Sequence, residues 1–127
     1  MKESILVVDD EMGIPQLFEA VLKNQGYNIT AILDSKKALE LLTANIDKYD
    51  LLITDLQMPV VDGVSLAQKA KDINPDIKIL CISCSVSFND LSDEKKELFD
   101  HAIYKPFNSA QIKAAIDQVI PEKNSDK

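Results

Sequence analysis

The sequence predicts an α/β protein in which helices cover both faces of a doubly wound parallel sheet. Three observations lead there. Short apolar runs alternate with stretches of helical periodicity, five times along the chain. The runs are apolar at successive positions rather than at every second one, as strands buried on both faces require. Finally, 127 residues, 46% of them hydrophobic and 28% charged, suit one globular domain with its own core.

Ile5-Leu6-Val7-Val8 is the first run. Ile14, Leu17, Phe18, Val21 and Leu22 follow at i, i+3, i+4, i+7 and i+8, one stripe of a helix that Gly26 ends. Tyr27 to Leu33 reads as the second strand, and Ser35 is the expected N-cap of a helix carrying Ala38, Leu39 and Leu42. Leu51 to Thr54 forms the third strand, and a helix from Gly63 stops before Asn74-Pro75, because the residue before proline disfavours helical torsions. Ile77 to Ile82 is the fourth strand. Ser83 to Leu91 reads as polar and irregular, and Ser92 caps a short charged helix over Asp93 to Phe99. Ala102 to Tyr104 is a brief fifth strand. Asn108 and Gln111 form a capping box for a last helix with Ile112, Ala115, Ile116, Val119 and Ile120 on one face. The domain is expected over residues 1–121, with a frayed polar tail over 122–127.

Five strand–helix units with right-handed crossovers give a five-stranded parallel sheet, and the flavodoxin-like order 2-1-3-4-5 is the natural one. Ligands on such sheets bind beyond the carboxyl ends of the strands.

Charge narrows the partners. Twenty-one acidic side chains against fourteen basic ones leave a net charge of −7, which disfavours direct contact with nucleic acid or an anionic membrane. All the cations are lysines, so the guanidinium fork common in phosphate-reading pockets is missing. The N-terminal apolar run is too short for a signal peptide, and no stretch approaches a membrane span. With Cys81 and Cys84 the only cysteines, a reducing, cytoplasmic location is expected.

The chemistry collects at the carboxyl rim. The first strand runs into Asp9-Asp10-Glu11, the third into Asp55 and then Gln57-Met58-Pro59, the fourth ends at Ser83, and the fifth at Lys105-Pro106. An aspartate just after a strand is ordinarily a turn former or cap. Three of them meeting at one rim are a different matter. Two unit charges about 4 Å apart repel by roughly 4 kcal/mol at an effective dielectric near 20. Such a cluster calls for a cation or a raised pKa. An oxygen-ligating divalent ion answers it, and Mg²⁺ suits one or two carboxylates, waters and a phosphate oxygen. A zinc-type His/Cys set is lacking, His101 being the only histidine. Carboxylate nucleophile, metal, amine and hydroxyl are the parts of phosphoryl transfer to an aspartate. With three glycines and no Walker-type loop, the donor is expected to be a protein or a small phosphate compound rather than a nucleotide.

ILVVDDE at 5–11, DLLITDLQMPVVDG at 50–63, IKILCIS at 77–83 and YKPF at 104–107, in this order, resemble the receiver domain of bacterial two-component response regulators, the chemotaxis-regulator-like kind. The resemblance covers nearly the whole chain. It implies that Asp55 is the phosphoacceptor, Asp10 a direct Mg²⁺ ligand, Asp9 a residue acting near the metal, and the Gln57 backbone carbonyl a further ligand. Ser83 would bind the phosphoryl group with Lys105 as counter-charge, and Pro106 stands where a cis peptide is common. It also implies a histidine kinase or histidine phosphotransfer protein as donor, slow autophosphorylation from acetyl phosphate, and autodephosphorylation. The downstream partner is not identified. Four positions depart from the family pattern: Cys84 replaces a small residue, Leu98-Phe99 replaces a Gly-Ala pair, and Ala102 stands where an aromatic switch is usual. Tyr104 could substitute, but strand alternation turns it away from the face of Ile103 and Lys105.

Two rival readings stand beside this one. A receiver-fold interaction module independent of phosphorylation would explain Ala102 but not the full rim. A small Mg²⁺-dependent phosphatase lacks an acid/base partner two residues after Asp55, where Gln57 stands. Cys81-Ile82-Ser83-Cys84 has C-x-x-C spacing, but Cys81 falls inside a strand and reads as core. His101 reads as a surface residue rather than a relay histidine.

Overall fold

A computed structural model describes residues 3–45 and 47–120; the expected tail over 122–127 lies outside them. Five strands, β1 (Ser4–Val8), β2 (Asn28–Ile32), β3 (Leu51–Asp55), β4 (Lys78–Ser83) and β5 (His101–Tyr104), form one all-parallel sheet in the order β2-β1-β3-β4-β5. That is the expected order. β1 is central, with Ile5 to Val8 paired to Leu51 to Thr54 on one side and to Ile29 to Ile32 on the other.

Strand alternation divides the core into two layers. Ile5, Val7, Leu51, Ile53, Leu80, Ile82 and Ile103 face α1 (Ile14–Lys23) and α6 (Ser109–Val119), burying Phe18, Leu22, Ile112 and Ile116. Leu6, Val8, Leu52, Ile79 and Cys81 face α2 (Ser35–Ala44) and α3 (Gly63–Ile73), burying Ala38, Leu42, Leu66 and Ala70. The continuous apolar runs thus supply both layers at once, which places β3 with every residue buried.

Local signals fix most boundaries. Asn108 and Gln111 close the expected capping box on α6, each side chain meeting the other's backbone N–H at 2.8–2.9 Å. α3 runs from Gly63 to Ile73 and ends at Asn74, one residue before Pro75. Two expectations are corrected. Ser35 is not the N-cap of α2: Asp34 is, its Oδ1 accepting from Lys36 N at 2.9 Å. A carboxylate suits the positive end of the helix better, and the Ser35 hydroxyl is engaged elsewhere. The stretch after Ser83 is not wholly irregular either. It forms α4 (Ser85–Asn89) and, after a Ser92 cap, α5 (Asp93–Lys96), the latter shorter than the helix expected to Phe99. Two single-turn helices replace one because SVSFN and DEKK carry no apolar stripe long enough to lay down a continuous helix.

Candidate functional site at the carboxyl rim

The site is built by where strands end. Parallel alignment brings the residues after β1 beside the end of β3, so Asp9, Asp10 and Asp55 each offer a carboxylate oxygen, all within 4.8 Å of one another. Asp9 is fully buried and Asp55 nearly so, whereas Asp10 is exposed. The sequence expectation that these three converge is met.

Each carboxylate is held differently. Asp9 Oδ1 accepts from the Glu11 N–H at 2.9 Å. Asp9 Oδ2 is buried and accepts no hydrogen bond, although Lys105 Nζ lies 3.2 Å away. Burial pushes Asp9 up to about 6. The charge of Asp55 adds to that rise, while the Glu11 N–H and Lys105 oppose it. Asp55 Oδ1 lies 3.4 Å from the Gln57 N–H and its Oδ2 3.5 Å from Lys105 Nζ.

Lys105 is the rim's cation. It follows β5, with a cis bond to Pro106, and its ammonium meets Glu11 at 2.8 Å as well as Asp9 and Asp55. Burial works against its charge. The hydrogen bond to Glu11 and the charges of Asp55 and Asp9 outweigh that and hold it above the ordinary lysine value. Ser83, buried at the end of β4, donates to the Cys84 carbonyl at 2.8 Å rather than to Asp55.

The donor set fits a hard divalent ion: three carboxylates in reach of one point, one oxygen among them buried without a hydrogen bond, and a single ammonium shared among three acids.

Two contributors escaped the sequence reading. Glu11 is the strongest partner of Lys105, and its signal was a third acid in the Asp9-Asp10-Glu11 run. Gly63 is the other. A Cβ there would lie 2.7 Å from Leu56 Cα and closer still to the Asp55 carbonyl. Its N–H donates to Leu56 O at 2.8 Å, so glycine lets α3 begin against the very end of β3. Its signal was a glycine opening a helix.

The C-x-x-C pair does not act together. Cys81 is buried in β4, and burial pushes its thiol up to about 12. Cys84 is exposed and free, held below the ordinary thiol value by the Ser87 hydroxyl 3.1 Å away. His101 is half-buried at the amino end of β5, a strand's length from the rim.

A family model described as response regulator receiver domain matches residues 5–117. Sporulation initiation phosphotransferase F of Bacillus subtilis is 29% identical over 126 residues, covering 98% of this chain and 99% of that protein. The response regulator receiver protein CpdR of Brucella abortus is 30% identical over 118 residues, covering 91% and 95%. Among solved structures, the response regulator protein TrrA of Thermotoga maritima, in complex with Mg²⁺-BeF, superposes with a TM-score of 0.79 at 31% identity, covering 93% of this chain and 98% of that one.

Proposed function

The chain belongs to the response regulator receiver domain family, and on that premise we propose that Asp55 is its phosphoacceptor in a Mg²⁺-dependent transfer. The observation that carries the assignment is the convergence of Asp9, Asp10, Asp55 and Lys105 at one rim. An Asp55 carboxylate oxygen attacks the donor's phosphorus. The bond from phosphorus to the histidine nitrogen of a histidine kinase or phosphotransfer protein breaks, and the imidazole leaves with its electron pair. Asp10, Asp55 and the Gln57 carbonyl would hold Mg²⁺, with Asp9 beside it. The metal would supply charge neutralisation at the equatorial phosphoryl oxygens. Lys105 follows the new charge, exchanging carboxylate contacts for a phosphoryl oxygen. Ser83 gives up the Cys84 carbonyl to donate to another.

The receiver unit would span 1–121, supported by the burial of Val119 and Ile120 at its far end. None of the helices among the described residues is long and apolar enough to cross a membrane. The two free thiols favour a cytoplasmic setting. A phosphorylation-independent module is not favoured, since it gives no reason for the complete rim. Acetyl phosphate would serve as a small donor, and hydrolysis of the acyl phosphate would reset the domain.

Intact-mass analysis after incubation with acetyl phosphate and Mg²⁺ tests this. One phosphoryl group should be gained, needing Mg²⁺ and absent in Asp55→Asn. A wild-type chain that gains none from acetyl phosphate or from a phosphorylated histidine donor would overturn the assignment.

A further inference from the structure

Residues 56–62 carry the chain from β3 to α3 and contain a strained backbone position. Val60 has φ 71, the left-handed region that a β-branched residue avoids. The Val61 N–H donates to the Pro59 carbonyl at 2.8 Å, which makes Pro59–Val61 a γ-turn of the rare positive-φ kind. Strain of this sort persists only where the surrounding structure over-determines it. Val60 recovers none of it by burial, being 82% exposed. Something else holds the turn.

Ser35 does. Its hydroxyl donates to the Pro59 carbonyl at 2.8 Å and accepts from the Val61 N–H at 3.2 Å, taking both ends of the turn at once. Ser35 is 3% exposed and is the first residue of α2, which Asp34 caps, so the hydroxyl is presented from a fixed point. The foot of the loop is tied separately, by Leu56 N to Ile82 O at 3.2 Å and Gly63 N to Leu56 O at 2.8 Å. Gln57, two residues before Pro59, lies between those ties and the turn.

We propose that Ser35 is a positioning residue of the phosphoacceptor site: through the Pro59–Val61 turn it fixes the segment that presents Gln57 to Mg²⁺ and to Asp55. This rests on the assignment of Asp55 and Gln57 above. Backing groups of this kind typically change metal affinity by about 10–100-fold when removed.

The comparison is wild type, Ser35→Ala, Val60→Gly and Ser35→Ala/Val60→Gly, by amide-shift titration with Mg²⁺ and amide exchange in the metal-free protein. Ser35→Ala should lose about 10-fold in Mg²⁺ affinity. Its Val61 amide should exchange faster while the β1 and β3 amides stay protected. Glycine accepts the turn without strain, so adding Val60→Gly should restore most of the affinity, and Val60→Gly alone should bind as the wild type does. Ser35→Ala with wild-type affinity overturns the proposal, as does a loss that Val60→Gly fails to rescue, since that marks a general packing defect. A wild-type chain that binds no Mg²⁺ removes the assignment of the site, and this inference falls with it.

Discussion

The segments that leave β3 and β4 start from neighbouring strands and are built on opposite terms. Residues 56–62 are tied at their foot to Ile82 and Gly63, at their crest to Ser35, and at their end by Asp62, whose Oδ1 accepts from Ser65 N at 2.8 Å. Residues 84–100 are tied to the sheet at their far end, where Asp100 N donates to Ile79 O and Asp100 Oδ2 accepts from Ile79 N, both at 2.8 Å, while the two short helices before it lean on apolar contacts. Among the residues of α4 and α5 whose burial is described none is fully buried, and the segment rests on half-buried Phe88, Leu91 and Leu98 with Phe99 beneath. Phe88 is the centre of that attachment, meeting Phe99 and Tyr104 edge-on at ring distances of 6.1 and 6.4 Å. One segment is pinned beside Asp55 and the other is held mainly by half-buried apolar side chains. Ser83 stands at the junction, with its hydroxyl on the carbonyl of the first residue of the loosely held part. On the role proposed for Ser83, a phosphoryl group that drew the hydroxyl away would act first on that apolar-held segment.

The largest effect expected from breaking this contrast is at Gly63. Gly63→Ala drives a methyl group into the Asp55 carbonyl and Leu56 Cα, backbone atoms that cannot step aside. A loss of about 3 kcal/mol is expected by denaturant unfolding, with Mg²⁺ affinity falling alongside. A variant as stable as the wild type would show that the β3–α3 segment has slack after all.

The next effect is electrostatic and has a definite sign. Burial raises Asp9 to about 6 from its ordinary 3.8. Its proton stabilises the metal-free fold fully below about pH 4, and that contribution is lost as pH rises through about 6. Asp9→Asn should therefore gain on the wild type by on the order of 2 kcal/mol between about pH 4 and pH 7 without Mg²⁺. Saturating Mg²⁺ should shrink that gain. Unfolding curves that stay parallel across this range would mean that Lys105 already neutralises the rim.

How much of this was open to sequence reasoning follows from the range of the forces involved. The strands were legible because burial on both faces writes Ile5 to Val8 and Leu51 to Ile53 as unbroken apolar runs. The α6 capping box was legible because its two partners are three residues apart. The rim was legible because parallel topology sends every strand's end the same way. The N-cap of α2 was not, since Asp34 and Ser35 are both good caps and only the distant Pro59 decides between them. Gly63's steric role and Glu11's pairing with Lys105 likewise depend on partners remote in sequence, though each left a trace there. The departures at Leu98-Phe99 and Ala102 were visible, but not what they meant together. Phe99 packs edge-on against Phe88, and Ala102 joins the same apolar cluster.

That arrangement gives the smallest prediction, and the one that sharpens the comparison most. Tyr104 lies on the face of Ala102, opposite Ile103, and meets Phe88 rather than the rim. The responding segment's own aromatic is thus Phe88 on α4, and the β5 aromatic it meets, Tyr104, lies on the face away from Ile103. Phe88→Ala should cost about 1–2 kcal/mol, the worth of a half-buried ring and two edge-to-face contacts. Amide exchange should then rise across residues 85–98 and leave β1, β3 and Asp55's neighbours protected. Phosphorylation from acetyl phosphate should persist at close to the wild-type rate, because the ring partners described for Phe88 are Phe99, Tyr104 and Lys96 rather than the rim carboxylates or Lys105. The phosphorylated and unphosphorylated forms should instead become alike in their exchange over 85–98, the segment having been released beforehand. Faster exchange spreading into β3, or a lost phosphorylation rate, would show that the two segments are mechanically one.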